Sequence, residues 1–167
     1  MTMTDEPAAK SVAGVDAACI LAAIRRKYSG CAVVHEVVVS DNGEGRYEKV
    51  GDQYKRVTNC RRIDALMFQS FERTAIEIKT TVADFKRDTW AKREPWRRIT
   101  HRFIYVVPAG LPVMAPHGCG QWEVHEDGHI TVKKKAIVNK FPEHLPQQII
   151  QALAYRAAGL KQKETDQ

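Results

Sequence analysis

No stretch of this 167-residue sequence approaches the ~18 uninterrupted apolar residues of a membrane-spanning helix, so no membrane partner is expected. The first residues, MTMTDEPAAK, lack the basic and then apolar order of a secretory leader, which predicts a chain that stays in the cytoplasm. Cysteine is scarce. Cys19, Cys31, Cys60 and Cys119 are far apart and form no CxxC pair, so neither a disulfide framework nor a zinc knuckle is indicated, and buried free thiols are expected. No GxxxxGK phosphate loop, GxGxxG fingerprint or nucleophile elbow occurs, which removes the common nucleotide-binding and serine-hydrolase signatures. HEDGH, residues 125 to 129, satisfies the HExxH pattern of zinc proteases. That chemistry needs both histidines on one helix face, whereas Asp127-Gly128 between alternating residues predicts a two-residue hairpin turn. Such a turn pairs His125 with Ile130 and sends the two histidines to opposite faces.

The hydrophobic share of 44% and charged share of 28% are those of an ordinary soluble protein with a real core. Net charge is +6, which favours a polyanionic partner. The distribution says more. Between residues 86 and 102 lie Lys86, Arg87, Lys92, Arg93, Arg97, Arg98 and Arg102, against only Asp88 and Glu94.

Hydrophobic period predicts helix over 14–28, strands over 31–39, 61–68, 74–81 and 102–107, and helix over 82–94 with a break at Pro95. A closing helix is predicted over 145–160. Residues 46 to 58 are polar and fit either a strand or an ordered loop. Residues 1–13 and 161–167 read as a flexible lead and tail around one domain, 14–160. The order predicts an α/β fold with a mixed central β-sheet flanked by helices.

The stretch RRIDALMFQSFERTAIEIKTT, residues 61 to 81, carries three ionisable groups inside two strand-like runs. Glu77 and Lys79 are two apart, so on a strand they share a face. A four-residue loop over 69–72 pairs Phe68 with Arg73 and sets Asp64 opposite Glu77, with Cβ atoms ~5 Å apart. Two carboxylates that close repel unless a cation lies between them. A hard divalent cation such as Mg²⁺ fits, and Lys79 adds a charge able to orient water and stabilise a phosphate. An exposed ion pair of Lys79 with either acid is the competing explanation.

Asp64, twelve residues, and then Glu77-Ile78-Lys79 resembles the PD-(D/E)XK nucleases of restriction-endonuclease-like fold, with Ile63 where the motif's proline stands. RRIDALMF, AIEIKTTVADFKRD, HRFIYVVPAGLP and VHEDGHITVKKKA together resemble the MmcB-like DNA repair proteins, over about residues 31 to 137. The resemblance implies that Asp64 and Glu77 bind Mg²⁺ (or Mn²⁺), with the carbonyl of Ile78 completing the shell. It makes Lys79 the catalytic lysine and Glu36 the candidate for a further acid. It implies a DNA nuclease in repair or recombination, acting on single-stranded or branched DNA. A DNA-binding module that cleaves weakly or needs a partner, and a junction resolvase built as a homodimer, are the alternatives.

Lys86, Arg87, Lys92, Arg93, Arg97 and Arg98 are the expected DNA contacts. They interleave with Trp90 and Trp96, of which at least one is expected to pack in the core and the other could stack on an unpaired base.

Overall fold

The structure, a computed structural model, describes residues 14–40, 46–57 and 60–160. The predicted lead 1–13 and tail 161–167, together with residues 41–45 and 58–59, lie outside the described residues. The elements run α1 (Ala17–Lys27), β1 (Ala32–Ser40), β2 (Arg46–Val50), β3 (Gln53–Val57), β4 (Cys60–Gln69), β5 (Glu72–Ile78), α2 (Val82–Lys86), α3 (Trp90–Ile99), β6 (Arg102–Pro108), β7 (Gly120–Val124), β8 (Ile130–Lys134) and α4 (Gln147–Ala157).

Six strands form one mixed sheet in the order β1-β4-β5-β6-β7-β8. Pairings are antiparallel except β5–β6 and β6–β7, which are parallel. A parallel pair needs a crossover, and α2 with α3 supplies the one between β5 and β6. Alternation divides the strand side chains between two apolar layers. Ile76, Ile78, Ile104 and Val106 pack with Ile20, Ala23 and Ile24 of α1 on one face. Ala75, Phe103 and Tyr105 pack with Trp96 and Ile99 of α3 and Ile149 of α4 on the other. The α/β fold with a helix-flanked mixed sheet is therefore present. Among the described residues no helix is long and apolar enough to cross a membrane.

α1 begins where the Asp16 carboxylate accepts the Cys19 N–H at 2.7 Å, a side-chain cap on an otherwise unpaired donor. The helix predicted over 82–94 is two helices, and the break falls before Trp90 rather than at Pro95. Thr81 caps α2 by accepting the Asp84 N–H at 3.1 Å. Asp88 then turns inward to Tyr105 and Arg93, and the chain leaves its helical path. Pro95 lies inside α3 and forfeits one helical hydrogen bond. The buried Trp96 and Ile99 hold the helix across it.

Three further expectations are revised. Residues left open by sequence form the β2–β3 hairpin. Gln69 pairs with Glu72, so the β4–β5 connection is a two-residue turn, Ser70-Phe71, in place of the four-residue loop. Phe68 still pairs with Arg73, so the register is as expected. At the β7–β8 end, Val124 pairs with Ile130 and the His125 N–H donates to the His129 carbonyl at 2.9 Å. That makes a three-residue turn, 126–128, with Gly128 at φ +77 and the Asp127 carboxylate accepting the His129 N–H at 2.8 Å. The expected register was one residue off. His125 and His129 sit side by side, ring centroids 5.8 Å apart, just past the strand ends on either side of the turn and not on a helix. None of the four cysteines forms a disulfide, but only Cys119 is buried and Cys31 half-buried; Cys19 and Cys60 are exposed.

Candidate active site

The β1–β4 ladder skips one pair at Asp64, and the β4–β5 ladder stops short of it. β1 pairs His35 with Ala65 and Val37 with Ile63, passing over Glu36 and Asp64. The β4–β5 ladder ends at Ala65 and Ile76. Glu36 has φ +51, a left-handed conformation uncommon for a side chain with a Cβ. The side-chain phase also breaks here. Ile63 packs with Leu66 on the α3 face, although strict alternation would put it with Ala65. Arg156 of α4 donates to the carbonyls of both His35 and Glu36 and satisfies backbone that the break leaves open.

The consequence is that Asp64 uses its side chain where a backbone partner would stand. Its Oδ2 accepts the Ile78 N–H at 2.7 Å. Glu77 and Lys79 follow on β5 and just past it, and Lys79 Nζ lies 2.8 Å from Glu77 Oε1. Lys79 is held by its own N–H, which donates to Val106 at 3.0 Å. Lys79 Nζ also lies 3.5 Å from Asp84 Oδ2 on α2. Asp64, Glu77, Ile78 and Lys79 thus line one cleft of about 370 Å³, with Asp84, Asp88, Lys92 and Arg93 on its helical wall and Arg61 and Arg62 on its strand wall.

Burial, reinforced by the Asp64 charge, pushes the Glu77 carboxyl up to about 7. Burial also raises Asp64, against the Ile78 N–H and the Lys79 charge, which both favour its ionised form. For Lys79, burial opposes the ammonium, but Glu77, Asp84 and Asp88 together outweigh it and hold the group above its ordinary value. The site is therefore two carboxyls reluctant to ionise beside a lysine that stays charged.

Such a donor set fits a hard divalent cation. Among the described residues no three His, Cys, Asp or Glu side chains form a group that could hold a metal ion. Mg²⁺ does not require three, because it keeps several waters and binds through one or two carboxylates. Ile78 lies beyond the last β4–β5 pair, so the β4–β5 ladder supplies no partner for its carbonyl, the third oxygen donor expected.

The remaining predicted residues divide. Glu36 stands across from Asp64, yet its side chain is exposed, 3.7 Å from Arg62, and does not line the cleft. Lys86, Arg87 and Lys92 are exposed; Lys92 lines the cleft and Arg87 lies 3.7 Å from Asp84. Arg93 is turned inward. It lies 3.3 Å from both Asp88 and the Tyr105 hydroxyl, and that hydroxyl also donates to Asp88. Arg98 donates two hydrogen bonds to Glu143, each 2.9 Å. Arg97 lies over the Trp90 ring. Trp96 is the buried tryptophan of the pair and Trp90 the exposed one.

Asp84, Asp88, Arg61 and Arg62 were not anticipated as site residues. Asp84 and Asp88 fall at positions where acids usually face solvent, and nothing in their spacing marks them. The adjacent arginines at the head of β4 were a legible signal once Asp64 was placed.

No family model and no curated protein matches this chain. Among solved structures, a Silicibacter pomeroyi protein of unknown function is similar, with a TM-score of 0.57 and 20% identity over 84% of each chain. That likeness concerns the fold.

Proposed function

We propose that this protein is a metal-dependent DNA nuclease of restriction-endonuclease-like fold, related to the MmcB-like DNA repair proteins. The observation that carries the reading is the convergence of Asp64, Glu77 and Lys79 at one cleft, with the Asp64 carboxylate on the Ile78 N–H. The sequence resemblance to PD-(D/E)XK nucleases and the basic residues at the cleft mouth support it. Mg²⁺ or Mn²⁺, held by Asp64, Glu77 and the Ile78 carbonyl, would supply Lewis-acid charge for the phosphate and a more acidic water.

The protein's own groups do the rest. Lys79 keeps its charge beside the scissile phosphate and offsets negative charge as the water oxygen attacks phosphorus. The phosphorus–oxygen bond to the leaving group breaks, the attacking water loses a proton to solvent and the leaving oxygen takes one up from solvent, giving a phosphate monoester at one end and a hydroxyl at the other. Asp84 holds Lys79 from the far side. Lys86, Arg87 and Lys92 neutralise flanking phosphates.

The test is incubation of purified protein with single-stranded, duplex and branched DNA in Mg²⁺, Mn²⁺ or EDTA. Cleavage that EDTA abolishes is expected. Binding without cleavage in either metal would favour a DNA-binding module, and cutting confined to four-way junctions by a dimer would favour a resolvase.

A further inference from the structure

A second cleft of about 290 Å³ opens on the outer side of α3, lined by Trp90, Glu94, Arg97, Thr100, His101 and Asn139 among others. Trp90 is 55% exposed, a large cost in apolar area unless something covers the ring. Arg93, Glu94 and Arg97 follow at helical spacing on the same side of α3. The Arg93 guanidinium lies 6.0 Å from the Trp90 ring centroid and faces the acidic cleft; that of Arg97 lies 5.0 Å away and faces the second cleft. The indole therefore stands between the two clefts.

Arg97 packs close to the backbone on its other side. Gly118, at φ +80, leaves it room, since a Cβ there would lie 2.5 Å from Arg97 Nη2. The Asn139 side-chain amide donates to the Arg97 carbonyl at 3.3 Å. A half-exposed indole with a guanidinium against its ring brings together the two groups that unpaired nucleotides use, a ring on which a base stacks once the flexible arginine turns to the phosphate, and the cation itself. A duplex keeps its bases stacked inside and cannot offer one to the ring without flipping it.

We propose that Trp90 and Arg97 form a subsite for one unpaired nucleotide of DNA, on the side of α3 away from the acidic cleft. The subsite rests on the DNA reading above but not on cleavage. It selects single-stranded or branched DNA over fully paired duplex, because only unpaired bases reach Trp90.

Binding is measured in EDTA, where nothing is cut, with a labelled single-stranded oligonucleotide and a blunt duplex of the same sequence. Trp90→Ala is expected to weaken single-strand binding at least ~5-fold, the lower end for loss of one stacked base, and duplex binding less than ~2-fold. Trp90→Phe keeps a ring and should retain most of the affinity, and Arg97→Ala should lose it on the single strand. Adding single-stranded DNA should quench tryptophan emission in wild type and not in Trp90→Phe, since Trp96 and Trp122 are buried. Unchanged single-strand affinity in Trp90→Ala overturns the subsite, as does an equal loss on duplex or no binding of single strands at all. Trp90-dependent binding without metal-dependent cleavage would sink the nuclease reading and leave the subsite standing. Cleavage that needs Asp64, without a Trp90 effect, would do the reverse.

Discussion

Glu77 has its carboxyl at about 7 because burial and the Asp64 charge oppose ionisation more than Lys79 favours it. Between the ordinary value of 4.5 and about 7, the folded protein keeps a proton that the unfolded chain has released. Stability must therefore fall as pH rises through that window, by on the order of 3 kcal/mol from Glu77 at most. The raised Asp64 adds the same sign. Urea denaturation in EDTA between about pH 5 and pH 8 should show this decline, and Glu77→Gln should flatten it; an equal slope in both would refute the assignment. Neighbouring cations separate by role. The Asp88 side chain is 3% exposed and is held by Arg93 and the Tyr105 hydroxyl, so Arg93→Ala should cost ~3 kcal/mol in a denaturation curve by removing the cation from a buried pair. Lys92→Ala should change stability by less than ~0.5 kcal/mol while weakening DNA binding. Asp64, Glu77 and Lys79 were legible because strand alternation and one pairing register suffice to gather them. The inward turn of Arg93 was not, because an arginine in a basic run looks the same whether it meets solvent or a buried carboxylate.

The break in β1 and β4 at Glu36 and Asp64 is what frees a carboxylate to cap the end of β5. Sequence placed Glu36 in a strand but gave no sign of its positive φ, since nothing about a glutamate announces that conformation. Connections were the weak point throughout. The β4–β5 turn was misjudged in length without harm, because a symmetric change leaves the register intact. The β7–β8 turn was misjudged by one residue, and that moved His125 beside His129. The turn itself is testable. Gly128 has φ +77, a conformation that strains any residue with a Cβ, and a Cβ there would also meet the Arg26 guanidinium. Gly128→Ala should therefore destabilise the protein by ~1–2 kcal/mol in chemical denaturation, with DNA binding unaffected. No loss of stability would argue against the left-handed turn. The helix break before Trp90 was likewise hidden, because it is imposed by Asp88 reaching Tyr105 and not by any helix breaker.

The α/β architecture followed from hydrophobic period alone: apolar runs of strand length, one basic crossover, and amphipathic helices at both ends. Strand order and the parallel placement of β6 beside β5 needed the structure, because many topologies share that element order. The crossover contributes part of the positive charge, with Lys86, Arg87, Lys92, Arg93, Arg97 and Arg98 against Asp84, Asp88 and Glu94. DNA affinity should accordingly fall steeply with salt, and replacing Lys86, Arg87 and Lys92 together by alanine should reduce the slope of log affinity against log salt by ~2. An unchanged slope would move the DNA path elsewhere on the molecule.

The central claim is that Asp64, Glu77 and Lys79 form one phosphodiester-cleaving centre. Single-turnover cleavage of labelled DNA in Mg²⁺, by wild type and by Asp64→Asn, Glu77→Gln and Lys79→Met, tests it most directly. DNA affinity in EDTA is measured alongside for each. Each variant should cut at least ~100-fold more slowly while binding within ~3-fold of wild type. Variants that cut at the wild-type rate would contradict the assignment of the site.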